Sequence, residues 1–154
     1  AEPRALLVSV QLKLARPSAA KPHLDTCLML DPYTKQHLTL RYQYFQTTGQ
    51  LDSASSAVQS ARQLFPNDRS IATDDMVLSF QIGQISKADS LAGFLLAGDT
   101  TSAYAHLIKG RLAEQKGLID SAASEYRRFI RTAEKGNPDI EIVGKRLSEI
   151  KQSK

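Results

Sequence analysis

The sequence repeats itself every 34 residues. Set out at that period, Ala20, Ala54, Ala88 and Ala122 fall in one column. Gly49, Gly83 and Gly117 fall in another, five residues earlier, where the first unit has Ala15. Pro32 and Pro66 share a third, and no insertion or deletion interrupts the register. The 154 residues therefore divide into four units, 1–34, 35–68, 69–102 and 103–136, with 137–154 left over. A chain built on such a period forms a string of neighbour-to-neighbour interfaces in place of one central core.

Each column has a physical reason. The glycine stands where one helix ends and the chain turns sharply, a position that often needs positive φ. The alanine lies in the next helix where two helices cross closely, and a larger side chain there overpacks by roughly 1–3 kcal/mol. The proline ends the second helix because it cannot extend the hydrogen-bond ladder. Each unit thus reads as helix, tight turn, helix, stop. The predicted helices are 3–14, 18–30, 35–48, 51–64, 69–82, 85–97, 102–116 and 119–135. The remainder reads as one more helix, with Asn137 as N-cap and Pro138 at its first position. There Ile140, Val143, Leu147 and Ile150 make an apolar stripe and Glu141, Lys145, Arg146, Glu149 and Lys151 a charged face, which suits a closing cap.

The first helix is less regular. Leu6, Val8, Val10, Leu12 and Leu14 are apolar at every second position, the pattern of a strand. The 34-residue register overrules it. As a helix, this segment is apolar on more than one face, so Leu6, Val10 and Leu14 are expected to pack on a preceding repeat or on a second copy of the chain.

This pattern resembles the tetratricopeptide repeat. The second unit carries it best, with Phe45, Gly49, Ala54, Ala61 and Pro66. The fourth supplies Gly110, Gly117, Ala122 and Tyr126, and the first Ala20, Cys27 and Pro32. The third rests on Gly83 and Ala88. The departures are Val8, Tyr42 and Met76 where the repeat favours a small eighth residue, and Leu95 and Phe129 where it favours a small twenty-seventh. The resemblance implies an all-α, right-handed α-α superhelical solenoid of helix hairpins. It further implies a concave groove, lined by the first helix of each unit, that holds a protein or peptide partner. The family positions fall on Ser9, Leu12 and Lys13 in the first unit and on Gln36, Thr39, Gln43, Gln46 and Thr47 in the second. They fall on Thr73, Val77, Phe80 and Gln81 in the third, and on Tyr104, Leu107, Arg111, Glu114 and Gln115 in the fourth. Gln and Thr both donate and accept, which suits a peptide backbone. Val77, Phe80, Tyr104 and Leu107 beside Arg111 suggest an apolar anchor point, unless Phe80 and Leu107 turn into the core. The cationic ring with which co-chaperones of this family grip acidic C-termini is missing: its positions hold Ala5, Ser9, Thr39 and Gln43.

No catalytic pattern accompanies the groove. There is no phosphate-binding glycine loop, paired-histidine zinc motif or nucleophile elbow. His23, His37 and His106 lie in different repeats and are expected to be ordinary, satisfied side chains; Cys27, the sole cysteine, is expected to pack in the interior. The expectation is a binding module without enzyme activity, metal or other cofactor. A net charge of +4 is too small to indicate nucleic acid, and no apolar run is long enough to span a membrane. From Glu125 to Lys154 eight Lys or Arg face five acids, which reads as a solvated helix face or a dock for an acidic partner or membrane surface. The chain begins with Ala and shows no signal-peptide pattern, so it reads as processed, trimmed or excised from a longer protein, and both bacterial cytoplasm and periplasm fit. The expected role is an adaptor or assembly scaffold in bacterial pilus, secretion or exopolysaccharide assembly, within a membrane-anchored larger protein in some cases. Two other roles stay open: self-association through the N-terminal helix, and accessory regulation of a larger enzyme or sensor.

Overall fold

In the computed structural model, which describes residues 2–152, the chain is all-α, with no strand among the described residues. The helices are α1 (Pro3–Lys13), α2 (Pro17–Leu30), α3 (Lys35–Thr47), α4 (Leu51–Leu64), α5 (Arg69–Gln81), α6 (Ile85–Gly98), α7 (Ala103–Gln115), α8 (Ile119–Thr132) and α9 (Asp139–Gln152). The eighth stops short of the predicted 135, because Ala133 is already extended and Gly136 turns the chain at φ 87°.

The turn inside each hairpin is built the same way. Ala15, Gly49, Gly83 and Gly117 have φ of 53°, 72°, 79° and 72°. The residue after each donates its N–H back five positions: Arg16 to Gln11, Gln50 to Phe45, Gln84 to Ser79 and Leu118 to Ala113. These bonds satisfy carbonyls that a helix end leaves free. The alanines of the crossing column, Ala20, Ala54, Ala88 and Ala122, are all fully buried.

The chain divides into two compact units, one up to Leu78 and one from Ser79. In the first, Ala5, Val8 and Leu12 of α1 pack with Ala20, Leu24 and Cys27 of α2 and Leu40 of α3. This explains the strand-like pattern of α1. Residues two apart on a helix lie about 200° around its axis, so the alternation feeds two opposite faces. Ala5, Val8 and Leu12 face the core, while Leu6, Val10 and Leu14 are exposed.

In the second unit Leu107 of α7 and Ala122, Ala123, Tyr126 and Phe129 of α8 join Val143, Leu147 and Ile150 of α9. Each fully buried large side chain there contributes roughly 1.5–3 kcal/mol. The apolar stripe of α9 thus faces its neighbour. Asn137 accepts the Asp139 N–H at 2.9 Å, fixing the start of that helix. Tyr126 also donates to Glu114 at 2.7 Å, and Glu114 accepts from Arg146 Nε at 2.6 Å. One carboxylate therefore ties α7 to both α8 and α9.

A candidate peptide groove

Along α3 of the first unit, Gln36, Thr39, Gln43, Gln46 and Thr47 recur at helical spacing and share a face. From Gln36 to Gln46 that face rises about 15 Å, the length of four to five residues of extended peptide. Two adjoining hollows run along it against α1. One, of about 420 Å³, is lined by Ser9, Lys35, Gln36, Thr39, Leu40 and Gln43. The other, of about 380 Å³, is lined by Ser9, Leu12, Lys13, Gln43, Gln46 and Thr47. Every groove position expected in the first two units borders one of them.

The polar groups on this face differ in how far they are committed. Thr47 donates its hydroxyl to the Gln43 carbonyl at 2.8 Å, so its proton is used within the helix. Lys35 is paired with Asp68. The side-chain amides of Gln36, Gln43 and Gln46 make no hydrogen bond among the described residues. Each offers two donors and an acceptor with two lone pairs. Behind them the helix is held rigidly: Leu38, Leu40 and Tyr42 are buried, and the Tyr42 hydroxyl donates to Asp74. Burial raises the Tyr42 hydroxyl, and the hydrogen bond to Asp74 raises it further. Burial also raises the Asp74 carboxyl, against the Tyr42 hydrogen bond, which lowers it.

Of the residues expected to form an apolar anchor, Leu107 turns into the core. Leu107 is 2% exposed and packs in the core with Ala122 and Phe129, so it presents no surface to a ligand. The small alanines of α8 leave room there that a leucine fills. Phe80 is half-buried, with the Arg111 guanidinium 5.8 Å from its ring centre. Tyr104 is 37% exposed, leans on Phe129, and accepts a long hydrogen bond from Asn137. Val77 is half-buried on α5 within the first unit, and Thr73 there donates to the Arg69 carbonyl. Glu114 is spent on Tyr126 and Arg146, which hold its carboxyl below the usual carboxylate range, Arg146 most strongly.

The histidines are placed by their partners. His37 and His106 are each 5% exposed. The His106 ring spans the Thr100 carbonyl at 2.8 Å and the Glu125 carboxylate at 2.7 Å. The His37 ring spans the Asp31 carbonyl at 2.7 Å and the Glu2 carboxylate at 3.1 Å. Cys27 is fully buried, and its thiol is raised, first by burial and then by the Glu2 charge, with Arg4 opposing. Glu2, Cys27 and His37 meet with their ligand atoms within 4.8 Å of one another. They come from the start of α1, from α2 and from α3, so no local motif in the sequence signals the meeting.

No protein-family model matches the sequence, and no curated protein matches it. The fold is that of tetratricopeptide-repeat proteins. A thermophilic tetratricopeptide-repeat protein of Thermus thermophilus aligns at TM-score 0.73 and 17% identity, over 96% of this chain and 79% of that one. The pilF protein of Pseudomonas aeruginosa aligns at TM-score 0.75 and 17% identity, over 97% and 68%. The first tetratricopeptide-repeat domain of Spaghetti (RPAP3), bound to the HSP90 peptide SRMEEVD, aligns at TM-score 0.64 and 17% identity, over 77% and 91%. No helix among the described residues is long and apolar enough to cross a membrane.

Proposed function

We propose that the chain is a protein-interaction module that holds an extended polar peptide along α1 and α3 of its first unit. The observation that carries this reading is the row of uncommitted amides on Gln36, Gln43 and Gln46 beside two adjoining hollows. An extended peptide brings one donor and one acceptor per residue, and each amide on α3 can meet both. The similar Spaghetti domain holds an acidic peptide. Here the cations on the groove are Lys13 and Lys35, and Lys35 is already paired with Asp68. The ligand class we assign is therefore an uncharged, backbone-read segment. Work as an adaptor or scaffold without catalysis, in assembly of a bacterial pilus, secretion or exopolysaccharide apparatus, is the setting we attach to it.

A displayed random-peptide library selected on the full chain supplies the probe, and fluorescence anisotropy measures its affinity. Replacing each of Gln36, Gln43 and Gln46 by Ala should weaken binding by about 2- to 10-fold, the worth of one net hydrogen bond. Binding of the triple variant at wild-type affinity overturns the reading.

A second reading has its own observation. Leu6, Val10 and Leu14 are 56%, 43% and 56% exposed on one face of α1. Self-association through this face predicts a concentration-dependent sedimentation coefficient that Val10→Glu removes. A monomer at all concentrations rejects it.

A further inference from the structure

We propose that Glu2, Cys27 and His37 form a zinc-binding site in the first unit. Their carboxylate, thiol and imidazole atoms lie within 4.8 Å of one another, with Nε2 and Oε2 at 3.1 Å. Tetrahedral zinc, with bonds of about 2.3 Å to sulfur and 2.0–2.2 Å to nitrogen and oxygen, sets its ligand atoms roughly 3.3–3.6 Å apart. The three side chains therefore need shifts within rotamer freedom, not a rearrangement of the helices.

The hydrogen bonding around His37 points the same way. A carbonyl only accepts, so the 2.7 Å contact to Asp31 fixes a proton on Nδ1. The other ring nitrogen, Nε2, is turned toward the Glu2 carboxylate at 3.1 Å and is the one placed to take a metal. Metal-bound histidines regularly donate their remaining N–H to a carbonyl in this way.

Cys27 converges on the same point: it is fully buried, and its sulfur makes no hydrogen bond among the described residues. Thiolate, imidazole and carboxylate together are a borderline-soft donor set suited to zinc. The thiolate and carboxylate balance the dication, and the thiol proton leaves to solvent on binding. A hollow of about 450 Å³ lies on the Glu2 side, lined also by Pro3, Arg4, Leu7 and His23.

The test titrates the full chain with Co²⁺ alone and then displaces it with Zn²⁺. The expected result is one equivalent of Co²⁺ bound, with a thiolate-to-cobalt charge-transfer band and the strong visible absorption of four-coordinate cobalt. Cys27→Ala should abolish the charge-transfer band. That variant keeps the fold, because Ala61 fills the same repeat position and is fully buried. His37→Gln, which retains a donor for Asp31, and Glu2→Gln should each weaken Co²⁺ by more than the about 10–100-fold that losing a mere supporting hydrogen bond costs. Zn²⁺ should raise the melting temperature of the wild type and not of Cys27→Ala. Absence of the charge-transfer band at excess Co²⁺ overturns the site. Wild-type affinity in a folded His37→Gln also overturns it.

Discussion

The ring of Tyr126 lies directly against the backbone of Gly110. A methyl group on Gly110 would stand 2.5 Å from both Cδ1 and Cε1 of that ring, closer than packed carbon atoms come. Tyr126 is pinned by its hydrogen bond to Glu114 and cannot swing away freely. Gly110→Ala should therefore destabilise the protein by about 1–3 kcal/mol, as overpacking does. A methyl group on Gly93, on α6, would have nothing within 4 Å of it, so Gly93→Ala should instead stabilise by about 0.5–1 kcal/mol. Urea unfolding of the two variants checks the contrast.

Ala15 adopts the left-handed conformation that glycine holds in the other hairpin turns, at φ 53°. A side chain in that region costs roughly 1–2 kcal/mol, part of which the added freedom of glycine in the unfolded chain takes back. Ala15→Gly should raise the urea midpoint, and an unchanged or lowered midpoint would show that the turn carries no strain.

Glu114 sets an acid limit. Arg146 first, and Tyr126 second, hold its carboxyl below the ordinary range. A lowered folded-state value means the stability it contributes is present above about pH 4.3, the unfolded value, and is lost as pH falls through the folded one. Melting temperatures between about pH 6 and pH 3 should fall less steeply in Glu114→Gln than in the wild type. Parallel curves would contradict the assignment.

Asp74 works in the opposite sense. Burial raises its carboxyl, so stability from this group is full below about pH 3.9, the unfolded value, and is lost as pH rises through the folded one. Tyr42 offsets that loss by donating to the carboxylate. Tyr42→Phe should cost about 1–3 kcal/mol at neutral pH, the penalty of an unsatisfied buried group, and less in acid. A cycle with Asp74→Asn should show coupling of at least about 0.5 kcal/mol.

Much of this was legible in the sequence because the period is a physical constraint. Glycine or alanine in one column meant a left-handed turn, and alanine in another meant a close crossing. The row on α3 followed from repeat position alone. Leu107 did not, because whether a leucine lines a groove or fills a core depends on the volume its neighbours leave, here Ala122 and Ala123. Gly110 against Tyr126 is likewise a matter of paired sizes: the same two repeat positions hold the buried Val8 and Leu24 in the first repeat and Tyr42 and Val58 in the second. The meeting of Glu2, Cys27 and His37 needs three elements to be packed before it exists.

The most direct measurement of the groove reads the side-chain NH₂ resonances of Gln36, Gln43 and Gln46 by NMR while a selected peptide is added. The account predicts that these three signals shift and saturate with the binding curve, together with Ser9 and Lys13 on α1. Shifts confined to the Leu6, Val10 and Leu14 face, with the glutamine amides unmoved, would contradict it.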